Sequence, residues 1–229
     1  MRATTRFDKM VRRFAPAALE DENMVRVKIC GITTVRDARL ATRLGADALG
    51  FNFYKRSPRY IRPARAKAIV AALPPFVGAV GVFVNEDPDE VSRICRLCGL
   101  HAAQLSGDET PAAVSRVRGV QRIKTIHVES ERDVRLCRRY QAEAFLLDAR
   151  VPGEYGGTGE VFNWELAGAA AEFGPIILAG GLTIENVADA IAVARPYAVD
   201  VASSVESAPG KKDRDLMTEF ILRAKGMEA

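Results

Sequence analysis

The sequence predicts an α/β protein that folds as a single (β/α)8 TIM barrel, and three observations support this prediction. Eight short, mostly apolar runs recur along the chain, as is typical of parallel strands buried on both faces. A helical pattern follows each run, and such alternation requires a parallel sheet with right-handed crossovers. No G-x-G-x-x-G follows the first run, which argues against a dinucleotide-binding, doubly wound sheet, although an open sheet fits the alternation itself.

Each predicted strand is rich in Val, Ile, Leu, Phe or Ala, and each predicted helix is bounded by capping residues or glycine. Thr33 and Thr183 stand where N-caps are expected, and Gly45 and Gly99 stand just past helix ends. The predicted strands are 25–30, 46–53, 77–84, 101–105, 122–128, 144–149, 175–179 and 198–202. The predicted helices are 35–45, 64–73, 89–99, 111–119, 131–141, 163–174, 184–194 and 212–226.

Composition indicates an ordinary soluble protein. The chain has 229 residues, of which 48% are hydrophobic and 27% charged. We predict an N-terminal tail, loosely ordered, over residues 1–23 and one catalytic barrel domain over residues 24–229. No apolar stretch approaches the roughly 18 residues that a membrane span needs, so no membrane association is expected.

The basic charge does not indicate a nucleic-acid partner. The formal net charge is +4, and residues 1–13 account for all of it with five basic groups and one acidic group. The remaining chain is neutral, with its basic residues scattered along helices, so we expect no surface that follows a phosphate backbone.

The cysteines and histidines do not indicate a metal site. Cys95 and Cys98 form a C-x-x-C, but no second pair completes a zinc site, and both lie in a predicted helix. Nothing indicates a disulfide framework either, so we expect a cytoplasmic protein.

Polar residues at the carboxyl ends of the predicted strands are the candidates for chemistry, because barrel enzymes build their sites at that face. Cys30 ends the first strand and Asp148 lies near the end of the sixth, so the two can face each other across the mouth as a proton-transfer pair. Lys28, two residues earlier on the same strand face, is expected to lower the pKa of the thiol. Taken singly, Cys30 is also compatible with a buried apolar role, and Asp148 with a helix cap or a partner for Lys124.

The last two strands are followed by a predicted phosphate site. Gly180 and Gly181 allow an anion to approach the backbone closely, and the segment SSVESAPGK (203–211) offers N–H groups at the start of a short helix. A phosphorylated small molecule is therefore the expected ligand, because barrel phosphate sites form after these strands.

Several dispersed motifs resemble those of one enzyme family, the phosphoribosylanthranilate isomerases of tryptophan biosynthesis. The resemblance runs from about residue 24 to 225, and the motifs occur in the family's order. They are VKICGIT, GADALGFNFYKRSPRYI, VGVFVN, LLDAR, EYGGTGEVFNW, LAGGLTIENV, and DVASSVE followed by PGKKD.

The resemblance implies an Amadori rearrangement without cofactor or metal. Asp148 matches the general acid that opens the ribose ring, and Cys30 matches the base that removes the C2 proton. The binding residues implied are Arg59 for the anthranilate carboxylate, Gly181, Ser203 and Ser204 for the phosphate, and Asp200 near the ribose.

Four positions depart from the family pattern. Ser106 stands where a histidine is usual, Glu160 where a lysine is common, and Ala202 and Ser204 where Ser and Gly are usual. We expect Ser106 to weaken binding of the aryl group rather than the proton chemistry, because Cys30 and Asp148 remain.

Two alternatives stay open at the level of sequence. One is a sister sugar-phosphate isomerase, although the histidine-pathway type has an aspartate where this chain has Cys30. The other is a barrel that has lost catalysis and serves as a scaffold, against which the joint presence of Cys30, Arg59 and Asp148 argues. Sequence also leaves open whether the chain is a monomer or a homodimer.

Overall fold

The computed structural model describes residues 24–149 and 163–227, and these residues build a closed barrel of eight parallel strands. The strands follow one another around the ring in chain order, and the first pairs in register with the eighth. The predicted (β/α)8 fold is therefore confirmed, and closure excludes the open sheet. The predicted tail over residues 1–23 lies outside the described residues, as does the segment 150–162, which contains Glu160.

The bounds of each barrel strand agree with the predicted run to within two residues. The alternation of buried apolar residues places one side of every strand against the helices and the other inside the barrel. The strands are β1 Arg26–Ile29, β2 Ala48–Asn52, β3 Gly78–Phe83, β4 Ala102–Leu105, β5 Gln121–Val128, β6 Ala144–Ala149, β7 Ile176–Leu178 and β8 Ala198–Val201.

A helix follows each strand, and several helices are shorter than predicted. The fifth predicted helix is one α-turn that continues as a 3-10 helix over Arg135–Arg139, and the sixth likewise ends as a 3-10 turn. The helices are α1 Val35–Arg43, α2 Pro63–Val70, α3 Pro88–Cys98, α4 Pro111–Arg116, α5 Glu131–Val134, α6 Glu165–Ala170, α7 Val187–Ala194 and α8 Arg214–Ala224.

Both predicted N-caps are wrong, because each helix is capped by a residue one to three positions later in the chain. Thr34, not Thr33, caps α1 by accepting a hydrogen bond from the Asp37 N–H at 3.0 Å, while the Thr33 hydroxyl donates to the Gly210 carbonyl. Helix α7 begins after Asn186, three residues beyond Thr183. Thr33 and Thr34 have the same intrinsic capping propensity. Tertiary contacts rather than residue type therefore decide which of the two caps α1.

Two hydrophobic regions hold the barrel together. The larger lies between strands and helices and includes the outward-facing Leu49 and Phe51 of β2. The smaller fills the barrel interior with one small or branched residue from most strands. Above that layer, towards the carboxyl ends, the interior becomes polar, with buried Lys28, Gln104, Thr125, Asp148 and Asp200. The apolar layer thus forms the floor of the site.

A short hairpin after β8 was not predicted. Strand β9 (Glu206–Ala208) pairs antiparallel with β10 (Lys211–Lys212), preceded by a 3-10 turn over Ser203–Val205. The Pro209-Gly210 dipeptide between the two strands is a turn signal that would have indicated it.

The C-x-x-C is structural in this fold. Cys95 and Cys98 are buried on α3, and the described residues contain no group of three or more His, Cys, Asp or Glu that could hold a metal ion. Among the described helices, none is long and apolar enough to cross a bilayer.

Candidate active site

The carboxyl ends of the strands enclose a cavity of about 340 Å³ at the barrel mouth. That volume suits a small metabolite. Of the residues predicted from sequence, the cavity lining brings together Cys30, Arg59, Asp148, Gly180, Gly181, Asp200, Ser203 and Ser204.

Cys30 sits immediately after β1 with its side chain in the barrel interior. Its backbone N–H donates to the Val201 carbonyl at 2.8 Å, which fixes the residue against β8. The neighbouring strand has glycine at the facing position, because a Cβ on Gly50 would lie only 2.7 Å from the Cys30 sulfur. Gly50 therefore makes the space that the thiol occupies.

The environment of Cys30 raises the pKa of its thiol. Burial is the largest cause; the nearby Lys28 and Lys212 ammonium groups act in the opposite direction, while Asp200 adds to the rise. Lys28 acts to lower the pKa of the thiol, as expected. The prediction that the pKa itself is lowered is wrong, because desolvation has the larger effect and raises it.

Lys28 and Asp200 form a buried ion pair beneath the cavity. The Lys28 Nζ donates to Asp200 Oδ1 at 2.7 Å, across the β1–β8 pairing. Burial alone would lower the pKa of Lys28, but attraction to Asp200 and Cys30 outweighs it and raises that pKa. Lys28 is therefore a permanent positive charge beside the thiol.

Asp148 lies on the inner side of β6, in register with His127 of β5. It is buried, with 7% of its surface exposed, and it lines the same cavity as Cys30. Lys124, the partner suggested by sequence, instead donates to Glu109 and to the carbonyls of Leu105 and Gly107. Those three acceptors use all the donors of its ammonium.

Arg59 follows β2 and reaches the cavity from the side of the hairpin. Its Nε and Nη2 atoms bind both carboxylate oxygens of Glu206. Glu206 also accepts from the Lys212 Nζ at 2.8 Å, and Lys212 donates to the Ala202 carbonyl. A chain of alternating charges thus runs from Arg59 towards Cys30, and sequence reasoning missed Glu206 and Lys212 because both lie in the unpredicted hairpin.

The loops after β7 and β8 form one connected surface. Gly180 and Gly181 have φ values of +77° and +65°, a left-handed conformation that glycine adopts readily. The Ser204 hydroxyl donates to the Leu182 carbonyl and so joins the two loops. Within the described part of the chain, the Gly181 and Ser203 backbone N–H groups make no hydrogen bond, which leaves them available to an anion.

Ser106 does not line the cavity, whereas Gln104, two residues earlier, does. The Ser106 hydroxyl is buried and accepts from Gln104 Nε2 at 3.1 Å, and it also hydrogen-bonds to Thr125. Sequence reasoning missed Gln104, although a polar residue at an inward-facing position of a buried strand was a usable signal.

Together these features define a (β/α)8-barrel enzyme whose mouth holds a thiol, a carboxyl and the two loops that follow β7 and β8. The sequence profile of the N-(5'phosphoribosyl)anthranilate (PRA) isomerase family matches residues 27–223. The chain belongs to this family, and the resemblance identified from its motifs is confirmed.

Individual relatives agree with the profile. The chain is 51% identical over 203 residues to the N-(5'-phosphoribosyl)anthranilate isomerase of Geobacter sulfurreducens, a match that covers 89% of this chain and all of the relative. A Thermotoga maritima structure, described as mutually generated monomers of the dimeric enzyme, is 41% identical with a TM-score of 0.80; the match covers 89% of this chain and 100% of that one. A structure in complex with reduced 1-(o-carboxyphenylamino)-1-deoxyribulose 5-phosphate is 43% identical with a TM-score of 0.79 and the same coverage.

Proposed function

We propose that this isomerase converts N-(5-phosphoribosyl)anthranilate to 1-(2-carboxyphenylamino)-1-deoxyribulose 5-phosphate in tryptophan biosynthesis, by general acid–base catalysis. The observation that carries the proposal is the shared cavity, in which Cys30 and Asp148 flank a site bounded by two anion-binding loops. The reduced product bound to a structural neighbour supports the same ligand class.

The reaction begins with Asp148 as the acid. A protonated Asp148 carboxyl donates its proton to the ribose ring oxygen, the C1–O bond breaks, and the nitrogen lone pair forms a protonated Schiff base. Asp148 is suited to this role because it is buried on the inner side of β6, where little water competes for its proton.

Cys30 then acts as the base. Its thiolate removes the C2 proton, the electrons of that bond form a C1=C2 double bond, and the nitrogen recovers its lone pair. The resulting enolamine tautomerises to the ketone. Lys28 and Lys212 favour the thiolate through their positive charge, which offsets part of the cost of burial.

Binding divides between the two ends of the substrate. The phosphate is held by backbone N–H groups of Gly181, Ser203 and Ser204, with Gly180 shaping the approach, and Asp200 lies beneath the ribose. Arg59 holds the anthranilate carboxylate, a role suited to a guanidinium that Glu206 already orients.

Turnover of phosphoribosylanthranilate, followed by the fluorescence change on conversion, tests this proposal in three proteins. Wild type is expected to turn over, and Cys30→Ser and Asp148→Asn are expected to lose turnover while retaining the wild-type circular dichroism spectrum. Turnover near the wild-type rate in a variant would refute the role given to that residue. Absence of turnover in wild type would refute the substrate.

We also propose that the chain forms a homodimer. Phe76, in the loop before β3, is 97% exposed and follows the exposed Pro74 and Pro75, and contiguous apolar surface of this kind is typical of a protein–protein contact. The description of one structural neighbour as monomers generated from a dimeric enzyme supports the proposal. Sedimentation velocity is expected to give a dimer for wild type and a lower mass for Phe76→Ser; a monomeric wild type would refute it.

A cytoplasmic location is proposed on chemical grounds. The four cysteines are all buried and free, a state that a reducing compartment preserves. Fractionation of the native host, with the protein detected by antibody, is expected to place it in the soluble cytoplasmic fraction; recovery outside that fraction would contradict the proposal.

A further inference from the structure

Gln104 is a buried polar residue of the cavity that the catalytic scheme above does not use. It lies on the inner side of β4, lines the cavity and is 5% exposed. Its Oε1 atom is buried and accepts no hydrogen bond from any part of the chain that the structure describes. A buried amide oxygen without a hydrogen-bond donor costs folding free energy. The presence of this unpaired oxygen in a residue that lines the cavity therefore indicates that a bound ligand supplies the donor.

The amide is held in one orientation from behind. Gln104 Nε2 donates to the Ser106 hydroxyl at 3.1 Å, and Ser106 pairs with Thr125 Oγ1 at 2.9 Å. Both hydroxyls are buried, so this chain of three side chains is shielded from water. It leaves the amide oxygen as the polar atom of Gln104 that has no partner among the described residues.

The position of β4 in the barrel indicates which part of the substrate lies next to this oxygen. β4 lies opposite β8 in the ring of eight strands, and the proposed phosphate loops follow β7 and β8. The end of the substrate remote from the phosphate therefore lies towards β4. At that end the anthranilate carboxylate has no hydrogen to donate and would repel an amide oxygen. The donor available there is the bridging N–H between the aryl ring and C1.

We propose that Gln104 Oε1 accepts a hydrogen bond from this bridging N–H. The inference rests on the proposed function and deepens it, because the nitrogen changes charge during the reaction. When Asp148 protonates the ring oxygen and the C1–O bond breaks, the nitrogen lone pair enters the C1=N bond and the N–H becomes cationic. When Cys30 removes the C2 proton, the C1=N electrons return to nitrogen.

Gln104 therefore binds the protonated Schiff base more strongly than the substrate. Hydrogen bonds to charged groups are stronger than those between neutral groups, and a contact that strengthens along the reaction raises kcat rather than lowering KM.

The test is Gln104→Met, which keeps the length of the side chain and removes both polar atoms. We expect kcat to fall about ten- to a hundredfold with KM within about threefold of wild type. Thermal stability is expected to stay close to that of wild type, because removal of the buried unpaired oxygen offsets the loss of the hydrogen bond from Nε2 to Ser106. Gln121→Met is the matched control, since Gln121 is exposed at the start of β5 and its replacement is expected to change neither quantity.

Two results would overturn the inference. One is a wild-type kcat in Gln104→Met; the other is a loss of kcat accompanied by a fall in Tm, which would indicate a structural role. Failure of the proposed function is distinguishable, because it shows as absence of turnover in wild type or as turnover in Cys30→Ser.

Discussion

Arg59 and Glu206, separated by 147 positions in the chain, meet as a two-pronged ion pair, with Nη2 to Oε2 at 2.8 Å and Nε to Oε1 at 3.0 Å. The Glu206 side chain is 3% exposed and that of Arg59 is 16% exposed. The pair fixes the guanidinium at the rim of the cavity, and Lys212 binds the same carboxylate from the barrel side. One buried carboxylate therefore organises two cations beside the site.

Glu206→Gln removes this charge and is expected to raise KM about tenfold, with a smaller change in kcat, because Arg59 loses its fixed orientation. Stability is expected to fall by about 3–5 kcal/mol, since the Lys212 ammonium stays buried without a counter-charge. Steady-state kinetics and thermal unfolding measure both effects. Glu219→Gln breaks the exposed pair with Arg223 and is the control; a KM unchanged in Glu206→Gln would argue against orientation of Arg59.

The pH dependence of thiol ionisation follows from the raised pKa of Cys30. The thiolate fraction of Cys30 is expected to rise with pH, and the raised pKa moves that rise towards alkaline pH. The rise is expected to continue beyond about pH 8.5, where an ordinary thiol reaches half-ionisation. The ultraviolet absorbance of the thiolate, taken as the difference between wild type and Cys30→Ser, measures it, and a titration complete near neutral pH would contradict this prediction.

Lys28→Met is expected to move the same titration to still higher pH, because the nearest cation is lost while Asp200 continues to repel the thiolate. Lys124→Met is a matched control, since Lys124 is equally buried and ion-paired with Glu109 but is bonded beneath the loop after β4. Both variants are expected to lose stability. The shift in the thiolate titration of Cys30 is expected only for Lys28→Met, and equal titrations would refute the role of Lys28.

Gly50→Ala is expected to lower kcat by about a hundredfold, because a methyl group would displace the Cys30 sulfur from its position. Overpacking is expected to lower stability by about 1–3 kcal/mol. Gly168→Ala serves as control in helix α6, where an added Cβ meets no atom, and it is expected to raise stability by about 0.5–1 kcal/mol. Wild-type kcat in Gly50→Ala would show that the thiol tolerates displacement.

Sequence reasoning located the parts of this protein that depend on local pattern. The strand ends that carry Cys30 and Asp148 follow from eight apolar runs, and the glycines after β7 follow from a turn signal. These features are set within a few residues of chain, so residue type and spacing suffice to predict them.

Features that depend on contacts between distant segments were not predictable. In the sequence Glu206 is indistinguishable from an ordinary surface residue, because only the hairpin brings it to Arg59. The pKa of Cys30 depends on burial, which the sequence does not give. Ser106 was expected to weaken binding of the aryl group, and the structure places this residue behind Gln104 rather than in the cavity lining. In each case residues that are distant in the sequence determine the contact or the pKa.

The order of strands around the ring also divides the chemistry between the two halves of the chain. Cys30, Arg59 and Gln104 belong to the segment up to α4, while Asp148 and the loops after β7 and β8 belong to the segment from β5 onward. A chain cut at Gly119, where an added Cβ would meet no neighbouring atom, would yield two fragments that each lack one of the two groups proposed to transfer protons. Isomerase activity would then report reassociation of the fragments along the β4–β5 and β1–β8 seams, which makes this barrel suited to use as a split-enzyme reporter.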